Sequence, residues 1–349
     1  MTGERYFDAV QGAYDAAEWH AGGPVERRFR VAGQPFRLRF AGAALVGAMT
    51  DALGHLAATD DPDGDEDDAA GLTVCLFDSV STRTALPAWS WSPREQDVRG
   101  DIPALCDERF LVAQCWWNGV LGLLDRAQRR ALFWIRDAAD FPFNERGSPL
   151  LMQLHGWLRL RGLQLLHAGA VGDCEGGVLL AGKGGAGKST TAIASLIGGL
   201  SYAGDDYCVI ATEPQPVAYS MYNSGKLSWN GVHRFPQLSG AAAHGSDGEK
   251  ALFFVRALHP ERVGLRLPIR AVLLPAIHGG SDCTLEPLSR AVALRDVVSS
   301  TMAQIPGADG AMLSGTAAFM RQLPCYRLHI GTDMARIAAR VADLVRNGA

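Results

Sequence analysis

The first third of the chain mixes strand-like and helix-like hydrophobic patterns. The stretch RRFRVAGQPFRLRFAG, residues 27–42, alternates apolar and charged positions, which predicts one or two β-strands. In the following AALVGAMTDALGHLA, Leu45, Met49, Leu53 and Leu56 recur with helical spacing. GLTVCLFD then has the composition of a buried strand. Together these patterns predict a small α+β domain.

A turn-rich segment, FPFNERGSPL (residues 141–150), interrupts these patterns and predicts a domain boundary. We expect an N-terminal α+β domain over residues 1–145 and a larger α/β domain over residues 146–349. Ser148 is suited to an N-cap and Pro149 to the first helical position, so a helix is expected to begin here. Its buried face is expected to consist of Leu150, Leu151, Leu154, Trp157 and Leu158.

Beyond this helix the pattern becomes that of an α/β domain. LQLLHAGAV and VLLAG predict two strands that form a hairpin around the glycine-rich turn GDCEGG. A helix is predicted over Lys188–Ile197, and LSYAGDDYCVI predicts a strand interrupted by two acids. AVLLPAI, CTLEPL and YRLHI predict further strands, and a helix is expected from about Ser289. In the last helix the residues that share one face are Met334, Ile337, Val341 and Leu344.

Composition narrows the classes of function. The net charge is -4, so nothing in the overall charge favours binding to nucleic acid or to an anionic membrane. The seven cysteines are scattered and lack zinc-site spacing, which is typical of reduced thiols. The N-terminus has no apolar signal-peptide core, and no apolar run reaches the roughly 18 residues of a membrane helix. We therefore expect a cytoplasmic protein without membrane or nucleic-acid partners.

Two unusual segments in the first domain have ordinary interpretations. Residues 60–68, DDPDGDEDD, do not have a glycine and a terminal glutamate at the fixed positions that a calcium loop requires, which favours a solvated loop. Four tryptophans of this domain have two interpretations: Trp89, Trp91, Trp116 and Trp117. The favoured one is that they pack a small core, and the other is that they line a groove for a peptide.

The pattern G-x-x-x-x-G-K-S over residues 182–189 predicts a phosphate-binding loop. Its glycines let the backbone wrap around phosphate oxygens, and the N-terminus of the following helix favours negative charge. Lys188 would contact the β- and γ-phosphates of ATP, and the Ser189 hydroxyl would bind Mg²⁺. The residues expected to bind the nucleotide are Gly182, Lys183, Gly184, Gly185, Ala186, Gly187, Lys188, Ser189 and Thr190.

Lys183 leaves an alternative open. The run KGGAGKS resembles the loop of partition-type and septum-positioning ATPases, which dimerise on ATP. In that family the loop lies close to the N-terminus, and the next strand carries a D-x-D ending. Here about 180 residues precede the loop, and the next strand carries the adjacent acids Asp205 and Asp206.

The region from Leu150 to Cys208 resembles the catalytic domain of the HPr kinase/phosphorylase family, which is itself similar to the nucleotide-binding core of phosphoenolpyruvate carboxykinase. The resemblance is carried by LLHAGAVGDCEGGVLLAGKGGAGKST and SYAGDDYCVI, with His167 21 residues before Lys188 and Asp206 18 residues after it. It extends more weakly to the C-terminus. It implies that His167, Lys188, Asp205 and Asp206 are catalytic.

The resemblance also implies a mechanism. Asp206 would take the proton from the hydroxyl of an acceptor serine, and Asp205 would lie near the metal with Ser189. Phosphoryl transfer independently requires charge neutralisation, in-line positioning and a base beside the acceptor. The ordinary alternatives are a turn for the two aspartates and a buried core histidine for His167.

One expected feature of the family is missing. HPr kinases carry a metal-binding glutamate in a glycine-rich segment downstream of the loop, whereas residues 218–235 here read AYSMYNSGKLSWNGVHRF. Tyr222, Asn223 and Lys226 form a polar cluster that either contacts the nucleotide or substrate, or is an ordinary surface edge. The second metal ligand and phosphorolysis are therefore not implied.

These observations predict an ATP- and Mg²⁺-dependent kinase acting on a serine of a protein or peptide. The N-terminal domain would select this substrate. Some members of the family phosphorylate the precursor of a ribosomal peptide natural product, such as a lasso peptide, and the resemblance also suggests a homo-oligomer. The alternatives are a partition-type ATPase switch and a non-catalytic nucleotide-binding module.

Overall fold

The computed structural model describes residues 1–58, 71–89, 91–115, 119–238, 240, 243–244 and 250–348. The acidic run 60–68, Trp116 and Trp117 lie outside the described residues. The chain forms two compact units: residues 1–162 with 305–307, and residues 163–304 with 308–349. Both units combine helices and sheets, so the fold is of mixed α/β type. No helix in the described part of the chain is long and apolar enough to cross a membrane.

A six-stranded mixed sheet forms the centre of the first unit, in the order β1-β2-β3-β6-β5-β4. The strands are β1 (Pro24–Val31), β2 (Gln34–Ala41), β3 (Leu72–Asp78), β4 (Phe110–Cys115), β5 (Val120–Asp125) and β6 (Arg130–Ile135). The helices are α1 (Gly3–His20), α2 (Val46–Thr50), α3 (Ser79–Thr82), α4 (Phe143–Gly147) and α5 (Leu151–Arg159). Short 3₁₀ turns span Asp51–Leu56, Pro93–Glu95, Pro103–Leu105 and Ala138–Asp140.

Helix α1 packs its apolar stripe against this sheet. Tyr6, Val10, Tyr14 and Ala17 repeat every three or four residues and are all buried. Trp91 joins the same core, where its ring lies 4.9 Å from that of Tyr6. Its neighbour Trp89 is 42 % exposed. The core interpretation is therefore confirmed for Trp91, and Trp89 covers it from outside at a ring distance of 5.7 Å.

The boundary between the units lies at 162/163 and not at the expected 145/146, because α5 packs on the first sheet. At Gly156 a side chain would meet Leu124 and Leu111 at 2.6 and 2.8 Å, which shows how closely the helix approaches β4 and β5. The ring of Trp157 lies 6.1 Å from that of Phe36. The first unit therefore includes a helix that the sequence pattern assigned to the second.

The start of α5 also differs from the expectation. Ser148 and Pro149 do not cap it, because the unpredicted helix α4 ends at this point and the Ser148 N–H bonds to the carbonyls of Asn144 and Glu145. The chain then turns through Leu150, which has a left-handed φ of 61° and precedes the first helical residue. Of the five residues expected on the buried face, Leu151 is only half-buried and the others are buried.

The second unit contains a nine-stranded mixed sheet and a small three-stranded one, ordered β10-β8-β9-β16-β12-β11-β7 and β13-β15-β14; β18 pairs with β16 and β17. Its strands are β7 (Gln164–Leu166), β8 (Gly169–Gly172), β9 (Gly177–Leu180), β10 (Ser201–Gly204), β11 (Cys208–Ala211), β12 (Val217–Ser220), β13 (Ser224–Ser228), β14 (Ala243–His244), β15 (Lys250–Phe254), β16 (Arg266–Ile277), β17 (Thr284–Pro287) and β18 (Cys325–Ile330).

Its helices are α6 (Lys188–Ile197), α7 (Trp229–Val232), α8 (Val255–Leu258), α9 (Arg290–Met302), α10 (Gly310–Arg321) and α11 (Met334–Asn347). Short 3₁₀ turns span Pro236–Leu238 and Pro260–Arg262. The predicted hairpin of β8 and β9, the helix that begins after Ser289 and the buried stripe of the last helix are confirmed.

Helices cover both faces of the large sheet. Alternate residues of β9 enter different cores: Val178 and Leu180 pack with α6 and α11, whereas Leu179 packs with α9 and α10. Strands β9, β16 and β18 run parallel to one another, so their carboxyl ends lie at the same edge of the sheet. In sheets of this kind, ligands bind beyond the carboxyl ends of the strands. The predicted phosphate loop lies at that edge.

Candidate functional site

The loop of residues 181–187 joins the end of β9 to the start of α6, as the motif predicts. Gly182, Gly185 and Gly187 have φ values of 131°, 78° and 106°, which residues with side chains rarely adopt. At Gly187 a side chain would also meet Ile330 at 2.3 Å. The start of α6 therefore lies close to β18, at the carboxyl edge of the sheet.

Lys188 is buried and folds back over this loop. Its Nζ donates to the carbonyl oxygens of Gly182 at 2.7 Å and Lys183 at 3.4 Å. Burial lowers the pKa of Lys188, and the carboxylates of Asp206 and Asp205 act in the opposite direction. Among the other residues expected to bind the nucleotide, Lys183, Gly184 and Gly185 are exposed, and Ala186, Ser189 and Thr190 are half-buried.

Two neighbouring breaks in the large sheet bring His167 and Asp206 together. The first break separates β7 from β8 at His167, and the second separates β10 from β11 at Asp205 and Asp206. Because β8 pairs with β10 and β7 pairs with β11, the two breaks lie beside each other. Gly169 allows this approach, since a side chain there would meet the Gly204 carbonyl oxygen at 2.8 Å.

Asp206 is held by two positively polarised groups. Its Oδ1 lies 3.0 Å from Nε2 of His167, and its Oδ2 lies 3.2 Å from Nζ of Lys226. Burial favours the neutral acid, but the charge of Lys226 and the contact with His167 outweigh it and hold the pKa of Asp206 below its usual range. Asp206 is therefore a fixed carboxylate at neutral pH.

Asp205 lies deeper and has a different environment. Its Oδ2 accepts a hydrogen bond from the Lys226 backbone N–H at 3.1 Å, whereas its Oδ1 is buried and has no hydrogen-bond partner among the described residues. Burial and the neighbouring charge of Asp206 raise the pKa of Asp205 to about 6, although the Ser189 hydroxyl acts in the opposite direction. The two environments thus raise the pKa of Asp205 and lower that of Asp206.

The chemistry of Asp205 and Ser189 fits a hard cation. A buried carboxylate oxygen without a partner is unfavourable on its own, and Mg²⁺ takes oxygen ligands. No cluster of three or more His, Cys, Asp or Glu that could hold a metal exists in the described part of the chain. A magnesium ion that accompanies a nucleotide needs only one or two protein carboxylates, since phosphates and water supply the other ligands.

Helix α9 and Gln304, two residues beyond its end, supply contacts that the sequence motifs did not indicate. Ser300 Oγ lies 2.6 Å from His167 Nδ1 and 3.2 Å from the carbonyl oxygen of Gly182, within hydrogen-bond distance of both. Gln304 Nε2 lies 3.0 Å from the same Nδ1, and Thr301 Oγ1 accepts from the His167 N–H at 3.2 Å. The only sequence signal is a run of small polar residues at the end of a helix, which is too common to single out.

The segment 218–235 is not an ordinary surface edge. Tyr222, Asn223 and Lys226 are all buried, with exposed fractions of 2 %, 0 % and 9 %. Asn223 stabilises the local chain, since its Oδ1 accepts from the Arg256 N–H at 3.3 Å. Lys226 reaches the site through its contact with Asp206.

In comparisons with known proteins, no family model and no curated protein matches the chain. Among solved structures it is similar to the Hpr(Ser) kinase/phosphatase from Coxiella burnetii, with 13 % sequence identity and a TM-score of 0.28 over 53 % of this chain and 95 % of that chain. The likeness is compatible at most with a distant HPr-kinase-like fold. It does not indicate an activity.

Proposed function

We propose that the protein is an ATP- and Mg²⁺-dependent kinase that transfers the γ-phosphate to a serine hydroxyl of a small protein or peptide. The observation that carries the proposal is the chain of contacts from Asp206 to the phosphate loop. Asp206 contacts His167, His167 contacts Ser300, and Ser300 Oγ lies 3.2 Å from the same Gly182 carbonyl oxygen that accepts from Lys188. A fixed carboxylate and a phosphate-loop lysine are thereby parts of one hydrogen-bonded network.

Each residue has a distinct role in this proposal. The backbone of residues 182–187 and the ammonium of Lys188 bind the phosphates. Ser189 and Asp205 would hold Mg²⁺, which neutralises charge on the phosphate oxygens when it is bound. Asp206 accepts the proton of the attacking hydroxyl, while His167 and Lys226 keep its carboxylate in place.

The low pKa of Asp206 is compatible with this role. In phosphoryl transfer the transition state is loose, and the acceptor hydroxyl loses its proton late. The carboxylate then acts mainly by orienting the hydroxyl for in-line attack and by receiving the proton as the new bond forms. A fixed, ionised acid is better suited to this task than a stronger but mobile base.

The proposal also names a class of substrate. The proposed acceptor is a serine in the peptide precursor of a ribosomal natural product, such as a lasso peptide. The first unit would select the substrate, and the reaction would take place in the cytoplasm, where ATP is abundant.

The test is transfer of label from [γ-³²P]ATP to serine-containing peptides, with [α-³²P]ATP and an alanine-substituted peptide as controls. Asp206→Asn keeps the size of the side chain but removes its charge, so transfer is expected to fall by about 10²- to 10⁴-fold. Binding of ATP, measured by calorimetry, is expected to persist. Transfer by Asp206→Asn at the wild-type rate would show that the role of Asp206 is wrong. Absence of transfer from the wild-type protein to any serine peptide would count against the kinase proposal.

A further inference from the structure

Ser300 lies between the proposed base and the phosphate loop and contacts both. It is on the last full turn of α9, with a buried side chain. Its Oγ lies 2.6 Å from Nδ1 of His167 and 3.2 Å from the carbonyl oxygen of Gly182. That carbonyl also accepts from Lys188 Nζ at 2.7 Å. One hydroxyl therefore joins the ring that holds Asp206 to the carbonyl that holds the phosphate-loop lysine.

Gln304, the other partner of His167 Nδ1, determines which ring nitrogen of His167 carries the proton. Tyr207 Oη donates to Gln304 Oε1 at 3.1 Å, so the amide nitrogen of Gln304 faces His167 Nδ1 at 3.0 Å. An amide nitrogen only donates, so Nδ1 is the acceptor in the neutral ring. The ring proton is then on Nε2 and is donated to Asp206. This tautomer leaves Ser300 with one proton and two acceptors: Nδ1 and the Gly182 carbonyl.

Nucleotide binding changes the balance between these two acceptors. While Lys188 donates to Gly182, the carbonyl is satisfied and the Ser300 proton is available to Nδ1. In the proposed function Lys188 moves to the β- and γ-phosphates, which leaves the buried Gly182 carbonyl without that donor. A buried carbonyl that loses its donor is unfavourable, and Ser300 is already within hydrogen-bond distance of it.

We propose that Ser300 is a positioning residue that exchanges acceptors when ATP binds: its hydroxyl donates to His167 Nδ1 in the free protein and to the Gly182 carbonyl in the ATP complex. This inference rests on the proposed binding of ATP, but not on transfer to a serine. In the free protein Ser300 and Gln304 share the single lone pair of Nδ1, and in the ATP complex Gln304 alone donates to it, so the tautomer that orients Asp206 is kept throughout. Ser300 thereby supports ATP binding without disturbing the base.

The first measurement is the affinity for Mg²⁺ and the non-hydrolysable analogue β,γ-imido-ATP, by calorimetry. Ser300→Ala removes the donor that replaces Lys188, so Kd is expected to rise roughly tenfold, the effect of one hydrogen bond. Ser300→Thr keeps a hydroxyl and is expected to restore most of the affinity. Ser299→Ala is the matched control, because it makes the same change one residue earlier on the exposed side of α9. Its affinity is expected to remain within twofold of the wild type.

The second measurement is the ¹⁵N resonance of His167 Nδ1 in protein labelled at histidine, assigned by its loss in His167→Gln. In the wild type this resonance is expected to shift towards that of a less strongly hydrogen-bonded nitrogen when the analogue binds. In Ser300→Ala it is expected to have the less strongly bonded position already, and to shift less on binding. A merely structural role for Ser300 does not produce this difference.

The outcomes separate the two proposals. Equal affinity of Ser300→Ala and the wild type, together with equal shifts of Nδ1, overturns the exchange of acceptors and leaves the kinase proposal intact. Binding of the analogue with the expected differences, but without transfer to any serine peptide, supports the role of Ser300 and counts against the kinase proposal. A wild-type protein that does not bind the analogue overturns both.

Discussion

Oδ1 of Asp206 lies 3.0 Å from Nε2 of His167, although the two residues are 39 positions apart in the chain. The contact arises from two strand breaks that lie side by side in the large sheet. Because each residue follows the end of a short strand, the sheet itself fixes the distance between them. A pair held in this way can keep a carboxylate in one orientation while a substrate approaches.

Replacement of His167 tests the value of this orientation. His167→Ala removes the donor to Asp206, and we expect kcat for transfer to fall by about 10- to 100-fold, as is typical for groups that orient a reacting residue. His167→Gln offers an amide N–H in a similar position and is expected to lose less. Affinity for ATP, measured by calorimetry, is expected to change little because the ring does not contact the loop directly. A wild-type kcat in His167→Ala would contradict an orienting role.

Replacement of Lys226 tests the electrostatics of Asp206. The pKa of Asp206 is below its usual range, so the active carboxylate is present above that pKa and is lost only as the pH falls through it. Lys226→Met removes the main charge that lowers this pKa, so the pKa rises and the acid limb of the kcat/KM profile moves to higher pH. Below the new pKa the rate falls about tenfold per pH unit.

The control for this variant is Lys250→Met, which removes the same charge from an exposed position on β15 that affects the pKa of Lys188 but is not among the causes of the low pKa of Asp206. The charge of Lys226 also lowers the pKa of Asp205, which is about 6, so in Lys226→Met the titrations of both acids move to higher pH, and the relevant quantity is the difference between the three profiles from pH 5 to 8. Superimposable profiles for Lys226→Met and the wild type would show that Lys226 does not control the base.

The elements around the phosphate loop could be predicted from the sequence because local patterns specify them. The range of α6 is the predicted one, since a glycine-rich turn precedes it and Gly198 and Gly199 follow its last residue. The resemblance to the HPr kinase family, carried by the spacing of His167, Lys188 and Asp206, indicated the site, and the structure brings His167 and Asp206 together. Whether these residues bind ATP and transfer phosphate is still a prediction.

Other parts of the site depend on contacts that no local pattern records. Ser300 reaches His167 from 133 positions away, through the packing of α9 on the sheet. Lys226 lies on β13, which passes beside the break at Asp205. Its backbone N–H donates to Asp205, and its Nζ donates to Asp206. The unit boundary was misplaced for the same reason: α5 has an apolar face, but its pattern does not indicate which sheet that face covers.

Gly187 provides a test of the geometry of the loop. Gly187→Ala is strained because φ is 106° and because the added carbon would lie 2.3 Å from Ile330 Cδ1. A cost of about 1–3 kcal/mol is expected, which lowers Tm by several degrees in a chain of this size. Affinity for ATP is expected to fall as the start of α6 is displaced. Gly184→Ala is the control, since nothing lies within 4 Å of the added carbon and its φ is not left-handed. Equal Tm values for the two variants would contradict the close packing at Gly187.

Lys183 distinguishes the kinase from a partition-type ATPase. Its side chain is exposed, whereas its carbonyl oxygen accepts bonds within the loop from Lys188 Nζ at 3.4 Å and the Ala186 N–H at 3.3 Å. In a kinase only the backbone of this residue would take part in the loop, and alanine retains that backbone. We therefore expect Lys183→Ala to keep transfer within about threefold of the wild type, since an exposed charge contributes little.

A partition-type ATPase requires a different result, because its loop lysine acts in a dimer that forms on ATP. Light scattering of the wild type and Lys183→Ala, each with ATP and with ADP, separates the two. An assembly that is independent of the nucleotide is compatible with a kinase. If ATP alone drives dimerisation of the wild type and Lys183→Ala abolishes it, the switch mechanism explains the loop better than phosphoryl transfer does, and the network around Asp206 would then serve hydrolysis of ATP.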